Sequence, residues 1–142
     1  MRQCGFWIIF SNRNRHEQTR VGIVLLLENE LGHIAMQLRD DLLCWGLFGG
    51  WMEEGELPED TAVRELFEEL CVKLPGEKFT FKNTHYLQTI DATAHVFHVA
   101  ITNELDNPVL NEGLDWRFIS HVELPNYQLV PHHLMLLQHY YG

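Results

Sequence analysis

Three glutamates, Glu65, Glu68 and Glu69, are the residues of this 142-residue chain whose types and spacing could do chemistry. On a helix they stand at i, i+3 and i+4, so their carboxylates emerge on one face with Cβ atoms roughly 5–6 Å apart. Like charges at that spacing cost a helix about 0.2–0.5 kcal/mol per pair, and neighbouring Arg64 returns only one positive unit. A bound cation would give the arrangement a use; without one it is a solvated acidic face. Oxygen donors alone suit a hard ion, Mg²⁺ or Mn²⁺, better than zinc. Just upstream, Gly49 and Gly50 lack the side chains that would keep a ligand off the backbone, at a point where a strand feeds a helix.

The charge balance bears on what such a cation would do. Ten Lys and Arg against twenty Asp and Glu give a formal charge of -10, which opposes binding along a polynucleotide backbone. It also repels small phosphates, so a phosphate substrate would need a metal cation as a bridge.

The elements that must position these groups follow from periodicity and turn residues. Residues 19–27 (TRVGIVLLL) and 33–38 (HIAMQL) read as a β-hairpin turning at Gly32. The apolar stretch 42–51 leads through the acidic loop 52–57 to Pro58, which suits the first position of a helix. From Pro58 to about Leu70, Ala62, Val63, Leu66, Phe67 and Leu70 form one apolar stripe, with Glu59 and Asp60 in the first turn. Strand-like runs follow at 78–90, 95–102 and 115–120. A final helix is expected over 127–141, with Leu129, Val130, Leu134, Leu137 and Tyr141 inward. At 142 residues and 46% hydrophobic content, residues 1–142 read as one α+β domain, a mixed sheet packed between helices. The apolar run at residues 6–10 is too short for a signal-peptide core or a membrane span. Cys4, Cys44 and Cys71 show no metal or CxxC spacing and read as buried or free thiols, so a soluble cytoplasmic protein is expected.

The run from Gly50 to Val72 resembles the Nudix box, GX5EX7REUXEEXGU with U aliphatic: Gly50, Glu56, Arg64-Glu65-Leu66, Glu68-Glu69 and Val72 fall in place. Only Cys71 departs, standing where the family has glycine. The order of elements is similar to the smallest, MutT-like Nudix domains, which implies an α/β/α sandwich over most of the chain. The resemblance implies a divalent-metal-dependent pyrophosphohydrolase. Its substrate would be a small nucleoside diphosphate derivative, of nucleoside triphosphate or nucleotide-sugar type, cleaved to a nucleoside monophosphate and phosphorylated X. Metal ligands would be Glu65, Glu68 and Glu69, joined by Gly49 through its carbonyl, with Mg²⁺ or Mn²⁺ as cofactor. Catalysis would involve Glu65, Arg64 and Glu112. Glu112 is placed by the likeness of Asn111-Glu112-Gly113 and the following Asp115-Trp116-Arg117-Phe118 to a family loop and strand, either as extra ligand or as base. Substrate contacts would come from Gly50, from Arg39, where relatives carry a phosphate-facing basic residue, and from Trp116.

Trp45, Phe48, Trp51, Phe97 and Trp116 could stack a base or serve the core. The scattered histidines show no ligand spacing. Relatives acting on oxidised guanine nucleotides read the base with an asparagine two residues before a proline. Here Pro131 puts Leu129 in that place, which cannot bond guanine as an amide does and favours a different or generic nucleotide. A non-catalytic nucleotide sensor on the same fold is the rival, set against the intact glutamates. An isomerase would need its own cysteine and glutamate pair in a longer chain. No polynucleotide or membrane partner is expected, and a homodimer is left open. The family glycine lies where a helix ends in a left-handed residue, so Cys71 is expected to be strained there.

Overall fold

The computed structural model describes residues 20–142. Strands β1 (Arg20–Glu28), β2 (Ile34–Leu38) and β3 (Trp45–Trp51) precede helix α1 (Pro58–Leu70). Strands β4 (Thr80–Leu87), β5 (Ala92–Ala100) and β6 (Asp115–Ile119) then lead to helix α2 (Pro131–Tyr141). The apolar run at 6–10, Cys4 and Thr19 lie outside the described residues.

One six-stranded sheet runs in the order β4-β5-β1-β3-β2-β6. It is mixed, since β1 and β5 pair in parallel from Arg20↔Ala92 to Glu28↔Ala100 while the other pairs are antiparallel. The expected β1–β2 hairpin closes only at Glu28↔Ile34. Beyond that point β3 enters between them, its first half paired with β2 (Met36↔Leu47) and its second half with β1 (Val24↔Gly49). Three strands that are each antiparallel to the other two cannot lie flat side by side. The sheet therefore splays at this corner, and the end of β3 emerges beside α1.

Alternation along β1 assigns its faces. Ile23, Leu25 and Leu27 pack with Ala62, Leu66 and Leu70 of α1, whereas Val24 and Leu26 pack with Leu136 and Leu137 of α2. A strand buried on both faces reads as continuously apolar, which is what VGIVLLL shows. The sandwich of sheet between helices is thus as expected. Within α1, however, Phe67 is half-exposed while Thr61 and Glu69 are buried. The inward stripe follows Ala62, Leu66 and Leu70 at four-residue spacing, and Glu69 takes the flank facing the strand end. The run expected at 78–90 divides into β4 and a short turn, and β5 begins at Ala92 instead of His95. Residues 127–130 are not helical. Val130 N–H donates to the Trp45 carbonyl and Trp45 N–H to that of Gln128, so this segment runs extended along β3 until Pro131 starts the helix.

Cys71 is an exposed free thiol, whereas Cys44 is fully buried but disulfide-bonded, which departs from the buried or free thiols expected. An odd count at wide spacings carries no signal for pairing. No helix among the described residues is long and apolar enough to cross a membrane.

Candidate active site

The end of β3 and the exposed flank of α1 enclose a cleft of about 200 Å³. Its lining includes Arg39, Gly49, Gly50, Glu65, Glu68, Glu69 and Glu112. Seven of the nine residues proposed from sequence therefore meet in one place. Both glycines are dictated by close approach. A Cβ on Gly50 would run into the Glu65 carboxyl, and one on Gly49 would meet the Ile23 carbonyl, with φ of 148° there as well. Helix and strand can then press together until the acidic flank faces backbone.

Each carboxylate sits in a different environment. Glu69 is 4% exposed and takes the Gly49 N–H at 2.9 Å on one oxygen and Gln37 Nε2 at 2.9 Å on the other. Burial, and next the Glu65 charge, push its pKa up to about 8, against the pull of those two hydrogen bonds. Burial likewise pushes Glu65 up to about 7, with Arg64 pulling the other way and Glu68 adding repulsion. Glu68 is half-exposed, and Glu112 stands on the loop before β6. Two raised carboxyls in a shared cleft mark a place where a proton or a cation is wanted.

Arg64 lies outside the cleft lining. Its Nε donates to Glu56 at 2.6 Å, one terminal nitrogen to Glu65 and Glu68 at 3.0 Å each, and the other to Glu56 at 2.9 Å and the Trp51 carbonyl at 3.1 Å. All five N–H groups are thus spent within the protein. Glu56, held to about 2 by that guanidinium, also accepts from Thr61 Oγ1 and from the Glu53 N–H, which folds the acidic loop onto the helix. Arg64 braces the cleft from behind instead of reaching into it. Trp116 is likewise absent from the lining. Partly buried, it packs against Phe118 at 5.4 Å and against the core cluster beneath α1, because β6 sits at the sheet edge with that face turned to the helix. Arg39 does line the cleft, bonded through Nε and a terminal nitrogen to Asp41.

The sequence reading missed Gln37 and His133. Gln37, 3% exposed, was signalled by its place as the one polar residue in an apolar strand, since a buried amide needs partners. His133 lines the cleft from α2 and is fully buried, its Nδ1 accepting the Leu47 N–H at 3.0 Å, so the neutral ring carries its proton on Nε2. Burial, with Arg39 nearby, pushes its pKa down to about 3. Leu129, aligned to the base-reading position, lies outside this cleft and lines a separate pocket beside Tyr127 and Leu134. The extended segment before Pro131 carries it away.

The donor set is all oxygen, in keeping with a hard cation. Among the described residues no three acidic or histidine side chains converge into a closed set around one point.

The fold defines the class. The family model for the NUDIX domain matches residues 16–140, and the chain belongs to the Nudix family as a Nudix hydrolase. The chain is similar to the solved structure of MutT from Aliivibrio salmonicida and Vibrio cholerae, at 20% identity and TM-score 0.70, covering 84% of this chain and 94% of that one. MutT Nudix hydrolase from Burkholderia pseudomallei is similar at 23% identity and TM-score 0.69, over 86% and 98% of the two chains. A bifunctional NMN adenylyltransferase/ADP ribose pyrophosphatase from Francisella tularensis, complexed with AMP and a Mn ion, gives 21% and 0.71. That match covers 93% of this chain but 45% of the larger protein. No curated protein matches the sequence.

Proposed function

We propose that the protein is a divalent-metal-dependent pyrophosphohydrolase acting on a small nucleoside diphosphate derivative, releasing a nucleoside monophosphate and phosphorylated X. The observation that carries this is the single cleft in which Glu65, Glu68, Glu69 and Glu112 line the space beside Gly49, Gly50 and Arg39. Glu65 and Glu69 are the principal ligands for Mg²⁺ or Mn²⁺, Glu68 and Glu112 face them, and Gly49 contributes backbone. The bound ion supplies charge neutralisation at the diphosphate and an acidified water. Arg39, which lines the same cleft, meets a phosphate oxygen, its charge moderated by Asp41. Glu112, from the same lining, accepts the proton of the attacking water, and Gln37 and Gly49 fix the orientation of Glu69. His133, neutral and buried, accepts the Leu47 N–H and packs the wall of the cleft beside β3.

A panel of nucleoside triphosphates and nucleoside diphosphate sugars, incubated with Mg²⁺ and followed as phosphate after a coupling phosphatase, tests this. Turnover of at least one class, abolished by EDTA and restored by Mg²⁺ or Mn²⁺, is the expected outcome. Binding of a nucleotide with no metal-dependent turnover across the panel would replace it with the sensor function.

A further inference from the structure

The carbonyl end of α1 is closed in an unusual way. A helix leaves its last four carbonyls without intrahelical partners. Here the Cys71 N–H returns to Phe67 at 2.8 Å, and the next three carbonyls are all taken by the loop that carries Glu112. Val109 N–H donates to Leu70 at 3.0 Å, Asn111 N–H to Glu69 at 3.0 Å, and Asn111 Nδ2 to Glu68 at 2.8 Å. The same Nδ2 reaches Cys71 Sγ at 3.1 Å, an acceptor that the family glycine would not provide. On its far side the loop is tied to β2 by Leu114 N–H, which donates to the Leu38 carbonyl at 2.8 Å.

We infer that Asn111 is a positioning residue for the reaction, clamping the loop to the two residues Glu68 and Glu69 so that adjacent Glu112 is held in register with the carboxylates of α1. The inference rests on the proposed role of Glu112. Clamp and carboxylate are neighbours in the chain, so little slack remains between them. Water could satisfy the same carbonyls if capping were all that was required, but water would not fix the loop to the helix. Both sides of the cleft are instead referenced to one rigid element, the helix that bears Glu65 and Glu69. Asn111 does not line the cleft, so its effect must pass through Glu112.

That dependence makes a double-mutant cycle decisive. Mn²⁺ binding to the full chain is titrated by the loss of the free-ion EPR signal for wild type, Asn111→Ala, Glu112→Gln and the double variant. Thermal midpoints in EDTA are taken alongside. Each single change is expected to weaken Mn²⁺ binding at least about threefold, and the double variant to bind no more weakly than Glu112→Gln. Asn111→Asp, similar in shape but without the two amide donors, should behave as Asn111→Ala, which keeps the test open if one of them folds poorly. An Asn111 effect that multiplies with that of Glu112→Gln would mean the clamp is a stability feature and would overturn the inference. So would unchanged Mn²⁺ affinity in a folded Asn111 variant. If Glu112→Gln alone is silent while Glu69→Gln abolishes binding, this inference falls and the metal-dependent function stands. A wild-type chain that takes up no Mn²⁺ overturns the function itself.

Discussion

The acidic motif divides into two regions that treat carboxylates in opposite ways. In the brace, Glu56 is held through both oxygens by Nε and one terminal nitrogen of Arg64 and stays ionised down to about pH 2. In the cleft, Glu65 and Glu69 lie one and five residues after Arg64, yet burial raises them to about 7 and 8. Charge is satisfied in the first region and left wanting in the second. The brace holds the loop and helix together so that the cleft can keep carboxyls in a state that only a proton or cation relieves. Stability and function are therefore drawn from neighbouring residues of one type, and the two should respond to different perturbations.

The largest expected effect separates them by rate. Glu69→Gln keeps an acceptor for the Gly49 N–H but removes the buried charge, and should lower metal-dependent turnover by at least about a hundredfold, the scale for loss of a central electrostatic group. Glu59→Gln, on the same helix but outside the cleft, should leave turnover within about twofold. Equal losses in two folded variants would dissolve the distinction between cleft and bystander acids.

Arg64→Ala tests the brace. It strands Glu56 and the Trp51 carbonyl and removes one partner each from Glu65 and Glu68. Loss of one side of a buried pair costs about 3–5 kcal/mol; with Arg64 22% exposed, about 2 kcal/mol is expected. The loss is read from denaturant midpoints at unchanged slope. A drop below about 0.5 kcal/mol would mean that the guanidinium network is surface decoration.

What the sequence revealed follows the same division. The motif spacing marked the carboxylates and glycines because i, i+3, i+4 geometry and the need for missing side chains are local properties. The apolar run of β1 likewise announced a strand covered on both faces. Gln37 stood out as a lone polar residue in an apolar strand, but neither it nor His133 could be tied to the site, because their partners, Glu69 and the Leu47 N–H, lie 32 and 86 residues away. Arg64 was read as part of the site through its place in the motif, whereas only three-dimensional contacts show its donors turned toward Glu56 and Trp51. The fork of β1, β2 and β3 was hidden for a related reason. Turn residues specify that two strands reverse, and say nothing about a third entering between them. Leu129 was misplaced because an alignment hung on Pro131 cannot foresee that the preceding residues stay extended.

A pH series sharpens the comparison through sign. The cleft acids have folded pKa values above their ordinary 4.5. Their contribution to stability is thus full below about 4.5 and is lost as pH rises through about 7 and 8. Glu56, lowered to about 2, contributes above 4.5 and loses that contribution only as pH falls through about 2. His133, also lowered, acts in the same direction below about 6.5. In EDTA the thermal midpoint should therefore fall between about pH 6.5 and pH 8.5, and Mg²⁺ should flatten or reverse that fall by favouring the ionised cleft. A midpoint independent of pH and of Mg²⁺ across that window would show that the cleft carboxyls are not held in the raised state.

The smallest effect concerns the seam between helix and loop. Cys71 ends α1 at φ 56° and ψ 30°, the left-handed conformation in which a residue with a Cβ is about 1 kcal/mol less favourable than glycine. Opposing this, its sulfur accepts from Asn111 Nδ2, but thioether and thiol sulfur are weak acceptors, and Nδ2 keeps its bond to the Glu68 carbonyl when the sulfur is gone. Backbone strain should therefore outweigh the lost contact, and Cys71→Gly should raise stability by up to about 1 kcal/mol, seen as a higher denaturant midpoint at a common slope. Were the backbone right-handed here, the same change would act mainly by loosening the unfolded chain and would lower stability by about 0.5–1 kcal/mol. A clear drop for the glycine variant would show that the Asn111–Cys71 contact dominates the cap, making the seam part of the brace and not a strained edge of the cleft.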